Sequence, residues 1–164
     1  MNTVLRAAFP TDAEARLVDQ LRASGHAPVS LVAETEGQIV GHILFSPVTI
    51  VRSDSSISEL GLGPLAVLPS HQGHGVGSAL VREGLAICRR QGCAFVVVVG
   101  GPAYYQRFGF KSGNEVGLQN EFGVADEFMV LELQPRSLPP EGGLVRYGAE
   151  FERWKCFDGS KFKV

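Results

Sequence analysis

Residues 60 to 99 constrain the fold more than any other part of this sequence. Leu60 to Leu68 is a β-rich run. A turn with glycines at 73, 75 and 77 follows, then a helical pattern from about 76 to 91. Its apolar face holds Val76, Leu80, Val81, Leu85 and Cys88, while Arg82, Glu83, Arg89 and Arg90 fall on the outer face. Gly92 ends it. Ala94 to Val99 is an unbroken apolar run bounded by glycines, the pattern of a central strand covered on both faces. Strand, turn, helix and buried strand make a βαβ unit, so strands 60–68 and 94–99 are expected to run parallel.

The flanking sequence adds strands and helices around this unit. Residues 3 to 9 read as a short helix cut off by Pro10. Thr11 and Glu14 fit a capping box for a second helix, with Leu17, Val18 and Leu21 as its apolar stripe and Gly25 as its stop. Ser30 to Glu34 and Gln38 to Ile50 read as a hairpin around the tight turn Glu36-Gly37. Residues 52 to 58 read as a Ser-rich loop, 102 to 108 as a short helix and 126 to 133 as a strand. Residues 134 to 143 form a Pro- and Gly-rich loop, and from Arg146 onward no pattern is assignable. With 164 residues and no linker or repeat, one domain spanning 1–164 is expected.

Composition narrows the class. The formal net charge is -2 and there is no basic run, which argues against a nucleic-acid partner. The three cysteines, Cys88, Cys93 and Cys156, are odd in number and form no Cys-x-x-Cys pair. A disulfide framework or a zinc site is therefore not expected, and no metal ligand set stands out. MNTVLRAAFP lacks the apolar core of a signal peptide, and no apolar stretch reaches the roughly 20 residues of a membrane span. The expectation is a cytoplasmic protein without a membrane partner.

The chemistry is concentrated in His71-Gln72-Gly73-His74-Gly75-Val76-Gly77-Ser78. Three glycines at alternate positions leave the backbone bare, so successive N–H groups can turn inward onto an anion. The helix starting there adds its unpaired N–H groups and the positive end of its dipole. A turn that merely needs glycine is the alternative. No Gly-Lys-Ser or Gly-Lys-Thr is present for a Walker loop, and Ser78 stands where a dinucleotide fingerprint needs a glycine. Pro64 lies inside a strand flanked by the βαβ unit. Having no N–H for a ladder, it predicts a bulge or a parting from strand 94–99, and hence a slot for a long thin cofactor. An ordinary edge strand would also accept it.

Three segments carry a family resemblance. Leu65-Ala66-Val67-Leu68-Pro69, then Gln72 to Ser78, then Tyr104-Tyr105-Gln106-Arg107-Phe108-Gly109-Phe110 resemble the GNAT superfamily of N-acetyltransferases. The resemblance covers roughly residues 30 to 133. It is strongest to a bacterial branch with Gly-His-Ile-Leu-Phe-Ser-Pro, here 41–47, and Ala-Tyr-Tyr-x-Arg-Phe-Gly-Phe, here 103–110. The resemblance implies an α+β fold: a mixed, twisted sheet with helices on both faces and a splayed central strand pair. GNATs usually begin with a strand, and that strand has no counterpart ahead of residues 3–9.

The resemblance also implies acetyl-CoA as co-substrate and an amine acceptor. Backbone groups of Leu65, Ala66 and Val67 would bind the pantetheine arm. N–H groups of Gly73, His74, Gly75, Val76, Gly77 and Ser78 would bind the pyrophosphate, and Tyr105 would sit near the thioester sulfur. A free strand N–H, such as that of Val67, suits the oxyanion, and a tyrosine hydroxyl suits the leaving thiolate. A packed aromatic is the alternative for Tyr105. The family's strand glutamate aligns with Gly61. Glu59, two positions earlier and on the same side, is the candidate base, with a solvated strand end as the alternative. His42 on the hairpin strand is a candidate for the acceptor pocket. His71 and His74 flank the cradle. Asn114, Glu115 and Glu121 could meet a cationic amine or simply be surface groups. No cysteine occupies a nucleophile position, so direct transfer in a ternary complex is expected. A non-catalytic CoA-binding module and a nucleotide-phosphate binder are the competing readings. A homodimer is compatible with the sequence.

Overall fold

Pro10 divides the first helical stretch in two, as its missing N–H requires. In the computed structural model, which describes residues 1–154, α1 spans Asn2–Ala8 and α2 spans Ala13–Ala23. The expected capping box is not made. Thr11 Oγ1 accepts from Ala13 N at 3.3 Å, one residue too early, and Asp12 occupies the cap position and pairs with Arg16 at 2.8 Å. Glu14 is buried. Leu17, Val18 and Leu21 are buried as the stripe predicts, and Gly25, with φ +76°, follows the helix end.

Two units share the strands that follow: Met1–Ser46 with Leu62–Cys88, and Pro47–Gly61 with Arg89 onward. In the first unit, β1 (Val29–Thr35) pairs antiparallel with β2 (Gln38–Val51), Val29 opposite Phe45. Glu36 and Gly37 turn between them with φ +50° and +77°, the doubly left-handed turn that matches strand twist. β3 (Ser56–Val67) is the other neighbour of β2. It contains Pro64, and Leu68 N beyond it donates to Val40 O at 2.8 Å. α3 (Val76–Arg90) follows the glycine turn and buries Leu80, Val81, Leu85 and Cys88.

α3 lies on the β2 face that carries Gly41: a Cβ at Gly41 would stand 2.9 Å from both Leu80 Cδ1 and Val76 Cγ1. Side chains alternate along a strand. His42 therefore faces the other way, where Arg22 of α2 acts on it electrostatically. Helices thus cover both faces of this part of the sheet.

The second unit holds the opposite ends of β2 and β3 together with β4 (Phe95–Val99), α4 (Pro102–Tyr105), β5 (Lys111–Ser112), β6 (Leu118–Asn120), β7 (Phe128–Glu132) and β8 (Gly143–Tyr147). The strand order is β5-β7-β4-β3-β2-β8-β6. β7 runs antiparallel to β4 and β8 antiparallel to β2, whereas β6 and β8 are parallel, so the sheet is mixed. Its core includes Val48, Ile50, Phe95, Val97, Leu118 and Phe128.

Two differences from the sequence reading have local causes. β3 starts at Ser56, inside the expected loop, because Arg52 N closes onto Ser55 O at 3.0 Å and Ile57 then packs on the core. β8 falls where no pattern was assignable because its partners, the tail of β2 and three-residue β6, are distant in sequence. Cys156 lies outside the described residues.

Candidate functional site

The cradle is built almost wholly of main chain. Gly73 and Gly75 have φ +76° and +85°, the left-handed region that favours glycine, and a Cβ at either would meet nothing within 4 Å. The space above the turn is therefore open. The first helical bond of α3 runs from Ala79 N to Gly75 O at 2.9 Å. The N–H groups of Val76, Gly77 and Ser78 stand ahead of it, in the first turn of a fifteen-residue helix, where the helix itself supplies no acceptor. Such a start receives an anion, and the residues present fit a diphosphate.

The turn is braced from below. Gln72 Nε2 donates to Val67 O at 3.0 Å, tying the loop to the end of β3. The main-chain segment Leu65–Val67 and the turn 73–78 are thus brought together by one side chain. His74 Nδ1 lies 2.8 Å from Gln72 O, and His71 Nδ1 lies 2.9 Å from Ser70 Oγ. Both imidazoles have protein partners beside the turn. Gly41 sets how closely α3 can approach the sheet, and so where the helix start lies. A lone glycine inside a strand pattern signals such an approach and was the clue available in the sequence. The brace by Gln72 had no such clue.

His42, in the same unit, is fully buried, and its Nε2 lies 3.1 Å from Ser30 Oγ. Burial, aided by Arg22 and the amino terminus, lowers its pKa from 6.5 to about 4, so the ring is neutral at physiological pH.

The second unit contains both proposed catalytic side chains, and it separates them. Tyr105 is buried just beyond β4. Its ring fills the space a side chain at Gly100 would need, and stacks edge-on to Tyr104 and Phe110 at 5.0 and 5.6 Å. Burial, with Tyr104 adding, pushes its phenol above the ordinary value, so it is a neutral donor across the physiological range.

Glu59 sits at the other end of β4. Its Oε2 accepts from Ala94 N at 2.9 Å and Phe95 N at 3.4 Å, and lies 3.1 Å from Cys93 Sγ. About five residues of strand, or roughly 16 Å, lie between the two ends. The Glu59 carboxylate thus fastens the start of β4, at the far end of that strand from Tyr105.

Of the three candidates for meeting a cationic amine, Glu121 accepts from Tyr147 N at 2.7 Å. Tyr147 itself escaped the sequence reading. Among the described residues, no group of three or more His, Cys, Asp or Glu could hold a metal ion, and no helix is long and apolar enough to cross a membrane.

Known proteins resemble this chain over most of its length. The sequence model of the acetyltransferase (GNAT) family matches residues 2–110. The chain is 38% identical over 156 residues to the uncharacterized N-acetyltransferase YhbS of Escherichia coli strain K12, covering 94% of this chain and 92% of that one. The crystal structure of E. coli YhbS in complex with CoA matches with a TM-score of 0.86 and 37% identity, over 93% of this chain and 85% of that one. A GNAT family acetyltransferase from Brucella melitensis in complex with acetyl-CoA matches with a TM-score of 0.72 and 39% identity, over 92% and 86% of the two chains.

Proposed function

The chain belongs to the acetyltransferase (GNAT) family, and on that premise we propose that it passes the acetyl group of acetyl-CoA to an amine by direct attack in a ternary complex. The observation that carries the reading is the turn 73–78, where the Cβ positions of left-handed Gly73 and Gly75 face open space at the start of a fifteen-residue helix. In this reading those amides hold the diphosphate, and main-chain groups of Leu65–Val67 hold the pantetheine arm. We read residues 1–164 as one acetyltransferase domain, with β2 and β3 common to both units.

The reaction forms a C–N bond and breaks the C–S bond of the thioester. The amine attacks as the free base, and charge develops on the carbonyl oxygen, which a strand N–H such as that of Val67 stabilises. The leaving thiolate takes a proton from the Tyr105 hydroxyl, which solvent restores. With Glu59 bound to main chain, the proton lost by the amine goes to water. Neutral His42 is assigned to the core of the first unit.

The test is a screen of simple amines, polyamines and N-terminal peptides with acetyl-CoA, reading free thiol. Amine-dependent thiol release is expected. Tight CoA binding with no release for any amine would leave a CoA-binding module instead. ATP displacing CoA in a thermal-shift competition would remove CoA from the reading altogether.

A further inference from the structure

Tyr147, the last residue of β8, carries a buried hydroxyl with no hydrogen-bond partner among the described residues. The rest of the residue is firmly held. Its N–H donates to Glu121 Oε1 at 2.7 Å. Its ring lies 4.9 Å from that of Phe122 and 5.1 Å from that of Phe151, tilted against both. On β3 the ring meets Gly61, where a Cβ would stand 2.9 Å from Tyr147 Cε1 and equally close to Val48 Cγ1. The absence of a side chain at 61 is what makes room for Tyr147.

A hydroxyl stripped of water and given no partner destabilises the fold, and phenylalanine would fill the same space without that cost. The orphan oxygen is therefore informative when its surroundings favour one kind of ligand. Burial and the Glu121 carboxylate both raise the phenol's pKa, so the oxygen is uncharged and offers lone pairs. The negative charge of Glu121 favours an N–H donor that arrives as an ammonium. The aromatic faces of Phe122 and Tyr147 favour a cation and the apolar stem attached to it.

We propose that Tyr147 is a positioning residue for the acceptor: its hydroxyl oxygen accepts a hydrogen bond from the amine N–H, Glu121 attracts the amine, and the neighbouring rings select a primary amine borne on an apolar body. The inference rests on the acetyl-transfer reading above and names the acceptor class for it. No bond is made or broken at Tyr147.

The experiment compares the full chain with Tyr147→Phe and Glu121→Gln. Probes are acetyl-CoA with phenethylamine, hexylamine, spermidine and kanamycin. Wild type should release thiol most efficiently with phenethylamine and hexylamine. Tyr147→Phe should lower kcat/KM for those amines about tenfold, mainly through KM, while the Kd for CoA is unchanged and Tm is equal or higher. That combination separates positioning from structure, because a hydroxyl needed for folding would lower Tm. Glu121→Gln keeps an acceptor for Tyr147 N–H and should raise KM for the same amines. An unchanged kcat/KM or a lowered Tm in Tyr147→Phe would overturn the proposal, as would a wild-type preference for kanamycin or spermidine. Thiol release with no amine at all would instead remove the transfer reading, and this inference with it.

Discussion

The two units carry their candidate functional pieces in different materials. In the first, the cradle is main chain: amides exposed by Gly73 and Gly75 and by the start of α3, braced by Gln72. In the second, the polar pieces are side chains, each defined by distant partners: Glu59 by the start of β4, Tyr105 by Gly100 and Phe110, Tyr147 by Gly61 and Glu121. A site of backbone depends on conformation and tolerates change in most side chains. A site of side chains depends on tertiary neighbours. Substitutions should therefore act on coenzyme binding in one unit and on turnover or stability in the other.

The hardest test of that division is the double substitution Gly73→Val and Gly75→Val. Both positions have positive φ with open space above, so any effect comes from backbone strain and not from a clash. Each left-handed valine costs about 1–2 kcal/mol, and the turn relaxes away from the geometry that presents its amides. CoA affinity should fall by up to about 4 kcal/mol, close to a thousandfold, by calorimetric titration. Retention of wild-type affinity would mean that the diphosphate is held elsewhere.

His42 marks the limit of that division, a side chain of the first unit whose burial should make stability depend on pH. Its folded pKa of about 4 lies below the ordinary 6.5, so the unfolded chain binds the extra proton in between. Stability is therefore complete above pH 6.5, falls as pH drops through that window, and levels off below about 4. The loss attributable to this residue is about 3 kcal/mol. Denaturant melts of wild type and His42→Gln from pH 7 to 4 should show a flatter dependence in the variant. Equal slopes would assign the acid sensitivity to other groups.

Tyr105→Phe addresses the second unit. It keeps the ring packing and deletes only the donor. If the hydroxyl protonates the thiolate, kcat should fall about 100-fold, the low end for general acid catalysis, with CoA affinity unchanged. Unchanged turnover would leave Tyr105 a packed aromatic.

The same division explains what was legible in the sequence. The glycine turn between β3 and α3 could be read because glycine spacing, strand and helix lie within about twenty residues and act locally. The hairpin turn Glu36-Gly37 and the stripe of α2 could be read for the same reason. β8 could not, since its ladder is made with β2 and β6 across the chain. The capping box failed because two neighbouring residues, Thr11 and Asp12, can both serve a helix start, and only the chain's entry angle chooses between them. Tyr147 was illegible because its significance lies in a side chain that Gly61 lacks. The partners of Glu59 were illegible because alternation tells which face a residue occupies and says nothing of what waits there.

Glu59→Gln carries the smallest expected effect and decides between the two tasks considered for that residue. Glutamine keeps one carbonyl oxygen for Ala94 N but loses the charge that strengthens the bonds to Ala94, Phe95 and Cys93. The start of β4 should loosen by about 1 kcal/mol, a fall of a few degrees in Tm. Turnover should stay within about twofold, because a bonded carboxylate at the far end of β4 from Tyr105 has no proton to take from the acceptor. A base removed outright would instead cost about 100-fold in kcat and flatten the acid limb of the pH profile. One assignment thus costs stability and the other turnover, so a melt and a progress curve on this one variant are enough to choose.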